Sequence, residues 1–455
     1  MGYKAVNPAT EEELRSVACI GSQELENALE ESFQAYLKWR ETGYEYRAGL
    51  VGAVAEILRQ SREKYAGIIT REMGKPIASA RGEIDKCARL CDFYAENAMG
   101  YLSDEEIALE SGKSFVTYNP LGPVLAVMPW NFPFWQVLRF AVPALMAGNT
   151  CLLKHAANVP GCAAEVENML LQAGFPRGVF STLFINKEQV LVILGDRRVR
   201  GATLTGSVTA GRAIAERAGS MLKKTVLELG GSDPYLVLED ADLELAARTC
   251  AASRLMNNGQ TCIAAKRIIV VQKVHDSFMD LFLQEMGRAN MTDPMQDDCT
   301  LGPLAREDLR RELHGQVERS IGQGAKLELG GYIPEGPGFW YPGTVLSGVK
   351  PGMPAFEEEL FGPAAAVISA DDERMAIELA NRSRFGLGSA VFTRDIERGL
   401  RIASREIEAG SCFVNAMVQS DPRLPFGGIK DSGYGRELSA QGIREFTNIK
   451  TVCVK

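Results

Sequence analysis

Cys262 ends the string Asn257-Asn258-Gly259-Gln260-Thr261-Cys262, a small, polar, glycine-containing approach to one thiol. A thiol on such a turn can be exposed and tuned toward thiolate, the form that attacks carbonyl carbon. Taken alone, the segment also fits a buried structural cysteine. Glu228, in Leu227-Glu228-Leu229-Gly230-Gly231, closes an apolar strand against two glycines. Desolvation there is expected to raise its pKa and make it a general base near neutral pH, the alternative being a strand-end Glu turned to solvent. Pro129-Trp130-Asn131-Phe132-Pro133 holds a carboxamide between aromatics and prolines. Such an amide suits donation to a developing oxyanion, although a turn Asn capping a packing cluster reads the same way. The three histidines, His155, His275 and His314, form no protease signature with a cysteine, which weakens a Cys–His hydrolase.

A second group of residues suits an anionic ligand. No GxGxxG follows any strand, but Gly206-Ser207-Val208-Thr209-Ala210-Gly211 follows the strand Ala202–Leu204 and opens the helical pattern Ala213–Arg217. A Gly-Ser start leaves free amides at a helix N-terminus, where a pyrophosphate is stabilised. Lys154, after the strand Cys151–Leu153, could hold ribose hydroxyls or phosphate, or be a surface lysine. Glu359 lies two residues from Phe361, a spacing able to grip a ribose and a flat heterocycle, or to form an acidic turn.

The elements that must position these residues are legible as pattern. The chain has 455 residues, 46% hydrophobic and 24% charged, which predicts two or three globular domains. Lys and Arg number 50 against 58 Asp and Glu, a net charge of −8 that disfavours a nucleic-acid surface. Ten scattered cysteines without a CxxC argue against a zinc site and, with no secretory signal at Met1–Thr10, predict a reduced cytoplasmic protein. The uncharged run Ser114–Leu138 contains Pro120, Pro123, Pro129 and Pro133, so it reads as buried strand and loop and not as a membrane span. Leu25, Leu29, Phe33 and Leu37 predict a helix capped by Ser22, and a second pattern through Leu50, Val54, Leu58 and Ile69 stops at Met73-Gly74-Lys75-Pro76. From Gly122 apolar runs alternate with helical stretches, which predicts βαβ units and a mostly parallel sheet. Asp242–Phe426 reads as a second α/β domain. Gly112–Tyr118 and Thr447–Lys455 read as detached strands, either a subunit-pairing device or simple edge strands.

In order along the chain, these strings resemble the aldehyde dehydrogenase superfamily. The resemblance runs from Asn7-Pro8-Ala9-Thr10 through Pro129–Pro133, Glu228–Gly231, Gly259–Cys262, Glu359–Pro363, Phe385-Gly386-Leu387, Pro425–Gly428 and Ser432–Glu437. It implies an α/β fold of two Rossmann-type parallel-sheet domains plus a small oligomerisation β-flap. The dinucleotide-binding domain would take 1–100 and 121–228, the catalytic domain 229–429, and the oligomerisation segments 101–120 and 430–455. Cys262 would be the nucleophile, Asn131 and the Cys262 amide the oxyanion donors, and Glu228 the base that activates water against a thioester. Trp130, Lys154, Ala157, Gly206, Ser207, Leu229, Glu359 and Phe361 would bind NAD or NADP, in a homodimer or homotetramer.

Two departures bear on specificity. Lys154 is followed by His155, Ala156 and Ala157, so the Glu that accepts from the ribose 2′-hydroxyl in many NAD-preferring members is missing and NADP is admitted. Ala264 stands where some succinate-semialdehyde dehydrogenases carry a second, redox-active cysteine. Arg139 stands where many members have an aromatic and where succinate-semialdehyde dehydrogenases carry Arg; an Arg in an apolar tunnel needs a partner, either a substrate carboxylate or a structural ion pair. Ser420 aligns with a carboxylate-contacting hydroxyl, and Trp135 and Phe446 are candidates to line the tunnel. The expected reaction is oxidation of succinate semialdehyde to succinate. The alternatives are a broad aldehyde dehydrogenase, a cofactor-independent thiol hydrolase or acyltransferase, and a catalytically retired relative.

Overall fold

A computed structural model describes residues 2–110 and 112–454. Met1, Ser111 and Lys455, which the expected segment boundaries include, lie outside the described residues. After a hairpin of Tyr3–Val6 and Glu13–Val17, the first hundred residues form helices Ser22–Trp39, Tyr44–Gln60, Arg62–Met73 and Ile77–Leu102. Ser22 is not the cap expected of it. Gly21 is, in extended conformation, and its N–H donates to Glu24 at 2.7 Å, so the carboxylate three residues on does the capping. The third helix stops at Met73, with Gly74 at φ +82°, as the Gly-Lys-Pro sequence predicts.

Strands Pro123–Met128, Thr150–His155, Phe180–Thr182, Gly201–Thr205 and Lys224–Glu228 then pair in parallel, in the spatial order 224–228, 201–205, 123–128, 150–155, 180–182. These strands read as unbroken apolar runs because both faces of a parallel sheet are covered. Leu229–Ser232 leads into a second, seven-stranded sheet. Its spatial order is Lys326–Leu329, Thr344–Ser347, Ala364–Ala370, Ala265–Val271, Asp233–Val237, Gly388–Phe392 and Ser411–Val414, parallel except at the first edge.

The third sheet is smaller than the segments expected for it. Thr447–Val454 pairs antiparallel with Lys113–Pro120, which pairs with Glu105–Ile107. Residues before 447 belong to the body of the molecule. Gly433–Tyr434 adds an antiparallel edge strand to Lys224–Glu228, and Leu438, Ile443 and Phe446 are buried in the first core. At the other boundary, helix Ile77–Leu102 runs past residue 100 with Leu102 buried.

The helix that carries Arg139, Trp135–Met146, is fastened to helix Ile77–Leu102 by one carboxylate. Glu83 Oε1 accepts from the amides of Phe134 (2.9 Å) and Trp135 (3.0 Å), while Oε2 pairs with the fully buried Lys75 ammonium. Removing one partner of a buried pair strands the other charge. Glu83→Ala is therefore expected to destabilise the protein by about 3–5 kcal/mol, read from urea unfolding.

Candidate active site

The loops that leave the C-terminal ends of strands Pro123–Met128, Gly201–Thr205 and Lys224–Glu228 open on one cavity of about 640 Å³. This is where an open parallel sheet binds ligands. Its lining includes Trp130, Asn131, Thr205, Gly206, Ser207, Leu229, Glu359, Phe361 and Cys262. The expected base Glu228 is not part of that wall, and of the eight residues expected to bind the cofactor six lie on it, whereas Lys154 and Ala157 do not. Those two sit at and beyond the end of strand Thr150–His155. The Lys154 ammonium lies 5.7 Å from the Tyr3 ring centroid, and the Ala157 carbonyl accepts from the Lys4 amide at 2.8 Å.

The loop that leads to Cys262 is held in an unusual conformation. Asn257, Asn258 and Gly259 are all left-handed, with φ of 55°, 59° and 71°. Asn tolerates that region better than other side-chain-bearing residues, and at Gly259 a Cβ would fall 2.2 Å from the Gly362 carbonyl carbon. Buried side chains pin the turn. Asn258 donates to Gly74 O and Pro303 O and accepts from the Gly302 amide, and Gln260 accepts from the Ala305 amide. Asn131 Nδ2 donates to Gln260 O at 3.0 Å, and Asn257 Nδ2 donates to Asn131 O at 2.8 Å, so the carboxamide and the cysteine loop are locked together.

Lys266 was not anticipated. Fully buried, it donates to Thr261 O (2.9 Å) and Cys262 O (2.6 Å) and lies 3.2 Å from Glu359 Oε1. Glu359 Oε1 also accepts from the Gly231 amide at 3.0 Å. The one sequence signal was a lysine four residues after a cysteine, at the start of an otherwise apolar strand. Burial pushes the Cys262 thiol up to about 12, against the pull of Lys266 and Arg139. The resting thiol is therefore protonated at neutral pH.

Glu228 is buried, with no hydrogen bond to either carboxylate oxygen, and lies against Gly427, where a Cβ would come within 2.8 Å of Oε1. Burial holds its pKa well above the ordinary carboxylate range, Glu437 adds to the rise, and Arg139 and Arg436 oppose it. The expected desolvated acid is present, with a second carboxylate beside it that the sequence did not reveal.

Arg139 does not lack an internal partner. Its Nε pairs with Glu437, its guanidinium lies 4.7 Å from the Phe426 ring centroid, and the residue is 2% exposed. The structural ion pair is the alternative realised, so an unpaired charge no longer argues for a substrate contact. Phe446 also departs from expectation: it packs edge-on against Phe140 at 5.6 Å, in the core beside Gly201. Ser420 and Trp135 do come together, through Lys86, which donates to Ser420 Oγ at 2.7 Å and lies 4.0 Å from the Trp135 ring centroid.

The cavity fits a dinucleotide. Helix Val208–Ser220 starts on its wall, Ser207 caps it by accepting from the Ala210 amide, and at Gly211 a Cβ would strike Leu229 at 2.6 Å. The helix end thus packs close and presents amides to an anion. Glu359 supplies an acceptor for ribose hydroxyls, and Phe361 stands edge-on to Trp130 at 5.7 Å. Among the described residues no cluster of His, Cys, Asp and Glu could hold a metal ion, and no helix is long and apolar enough to cross a membrane.

The profile of the Aldehyde dehydrogenase family matches residues 1–452. The succinate semialdehyde dehydrogenase [NAD(P)+] Sad of Escherichia coli is 48% identical over 448 residues, 98% of this chain and 97% of that one. A succinate-semialdehyde dehydrogenase [NADP(+)] of Mycobacterium tuberculosis is 46% identical over 457 residues, spanning all of both chains. The crystal structure of succinic semialdehyde dehydrogenase from Streptococcus pyogenes in complex with NADP+ is 39% identical, covers 99% of each chain and superposes with a TM-score of 0.97. A family match of this extent, on a cavity that unites Cys262, Asn131 and a helix N-terminus, shows that the chain belongs to the aldehyde dehydrogenase family.

Proposed function

We propose that this enzyme oxidises succinate semialdehyde, or a closely related short ω-carboxy aldehyde, to the acid with NAD(P)+ through a thioester on Cys262. The observation that carries the reaction class is the shared cavity of Cys262, Asn131 and the Ser207 helix start. The substrate reading rests on the relatives that bear that activity in their names. The Cys262 thiol gives up its proton to solvent, its sulfur adds to the aldehyde carbon, and the Asn131 carboxamide and the Cys262 amide donate to the oxygen that becomes negative. When bound, NAD(P)+ supplies the acceptor for the hydride of that carbon. Glu228 then takes a proton from the water that cleaves the thioester, releasing the acid and the thiol.

The edge near Lys154 supports use of NADP. Lys187 is the like charge that acts on Lys154, and Ala157 offers no carboxylate to repel a 2′-phosphate. We also read the sheet of 105–107, 113–120 and 447–454 as a pairing surface, since Ile107, Ile449 and Val454 are exposed on it. A reduced, cytoplasmic setting is supported by the buried thiols Cys87, Cys91, Cys151, Cys162 and Cys250, none in a disulfide.

Steady-state kinetics on matched aldehydes test the substrate: kcat/KM for succinate semialdehyde should exceed that for butanal by at least about tenfold, about 1.4 kcal/mol, and equal values would sink the reading. Cys262→Ala should abolish turnover while NADP+ still binds, measured by calorimetry; retained turnover would show a different nucleophile. The raised pKa of Glu228 means that its base form fills only above the ordinary carboxylate range, so deacylation in single-turnover experiments should accelerate as pH rises beyond that range. Glu228→Gln should flatten that rise and slow the step by roughly 10²-fold or more. Ala157→Glu should move the NADP+/NAD+ ratio of kcat/KM toward NAD+ by about tenfold or more, since the new carboxylate repels a 2′-phosphate.

A further inference from the structure

Lys266 stands near the start of the buried strand Ala265–Val271. The residue is fully buried, and its ammonium has three oxygen partners: the carbonyls of Thr261 and Cys262, at 2.9 and 2.6 Å, and Glu359 Oε1 at 3.2 Å. Two of these partners belong to the loop that ends in Cys262, and the third lies on the cavity wall. A charge at that depth is costly, and the two carbonyls and one carboxylate offset the cost. A methionine would fill similar space without that cost, so packing alone does not account for a lysine here.

Glu359 faces two ways. Its Oε1 takes the Gly231 amide as well as Lys266, and among the described residues no hydrogen bond falls on Oε2. That oxygen is left to a hydroxyl at the cavity wall, the use expected of Glu359 toward a ribose. The packing behind Cys262 is close: a Cβ at Gly231 would come within 2.6 Å of the Cys262 carbonyl oxygen and 3.0 Å of Asp233 Oδ1. Burial is the largest influence on the thiol, and four charged groups act beside it: Lys266 and Arg139 favour the thiolate, and Glu359 and Asp233 oppose it. Lys266 is bonded to the cysteine's own carbonyl, and a field from that position is strong in a desolvated site.

We propose that Lys266 and Glu359 form a tuning pair: Lys266 holds Glu359 in place for the ribose and favours the reactive form of Cys262, while Glu359 restrains it. This rests on the reading of Cys262 as the nucleophile. Lys266 is a positioning residue, acting through the Cys262 loop and through Glu359. The acid that grips the cofactor is thereby also the counter-ion that limits the reactivity of the thiol.

Alkylation of Cys262 by iodoacetamide, followed by peptide mass spectrometry over the neutral to alkaline range and without substrate, reads the thiol directly. Below the thiol's pKa the rate follows the thiolate fraction. Lys266→Met should slow alkylation by about fivefold or more, and Glu359→Gln, which keeps an acceptor for the Gly231 amide, should speed it by about threefold or more. Opposite signs are what charge requires, whereas a loosened loop would move both variants the same way. Calorimetry with NADP+ reads the hold on Glu359. Each single substitution should weaken binding by about tenfold, and the double variant should bind no worse than the weaker single one, because Lys266 places Glu359. Equal signs in alkylation, or an unchanged rate in Lys266→Met, overturn the proposal, as do additive losses in affinity. If Lys266→Met does not fold, Glu359→Gln decides alone, and alkylation that is slower or unchanged overturns the proposal. Retained turnover in Cys262→Ala would instead remove the nucleophile itself, so the two failures are read on different proteins.

Discussion

One buried ammonium, Lys266 Nζ, joins the parts of this molecule that must act together. It binds the carbonyls of Thr261 and Cys262 and pairs with Glu359, which in turn accepts from the amide of Gly231 in the connection between the two large sheets. The cysteine loop, the inter-sheet connection and the acidic loop on the cavity wall therefore share one charge centre. An ammonium in that position is tolerated only because carbonyls and Glu359 surround it. The left-handed turn before Cys262 has the same logic: three residues in a sparsely populated backbone region persist because Asn131, Asn257, Asn258 and Gln260 hydrogen-bond the turn to the segments packed around it.

A second charge centre lies on the Glu228 side. Glu228 and Glu437 are both buried near Arg139, and only Glu437 is paired with it. Two carboxylates beside one guanidinium cannot both ionise cheaply, and the proton belongs on the one without a partner. That one is Glu228, the group proposed to take a proton from water. Arg139 thus acts at once on the base, through Glu437, and on the thiol, through its field. Its burial is explained without a ligand.

What the sequence disclosed and what it hid divide along physical lines. The parallel strands were legible because burial on both faces writes them as apolar runs, and the loops that follow them brought Asn131, Gly206, Ser207 and Leu229 to one cavity. The hairpin Tyr3–Val6 with Glu13–Val17 was illegible because its second strand is mostly exposed and polar. Ser22 misled because a glycine with Glu three residues on caps as well as a serine does. Lys266, Glu437 and Lys86 were missed because their partners are set by tertiary contact: Lys86 meets Ser420 across more than three hundred residues. For the same reason Arg139 looked unpaired until Glu437 was beside it, and Phe446 looked free to line a tunnel until Phe140 filled its face.

His155 shows how the departure after Lys154 bears on chemistry. Its Nδ1 accepts from the Ala156 amide at 2.8 Å, so Nε2 carries the proton and donates to the Pro133 carbonyl at 2.9 Å. That bond holds the far end of the Pro129–Pro133 loop, on which the Asn131 carboxamide is carried. Burial pushes the imidazole down to about 4, so it stays neutral through the range in which the enzyme's other groups titrate. A histidine that ionised near neutrality would add a second positive charge beside Lys154 and lose the Ala156 amide as a partner, since a protonated Nδ1 cannot accept. Its neutrality keeps both bonds, from the Ala156 amide and to the Pro133 carbonyl, at the end of the loop that carries Asn131.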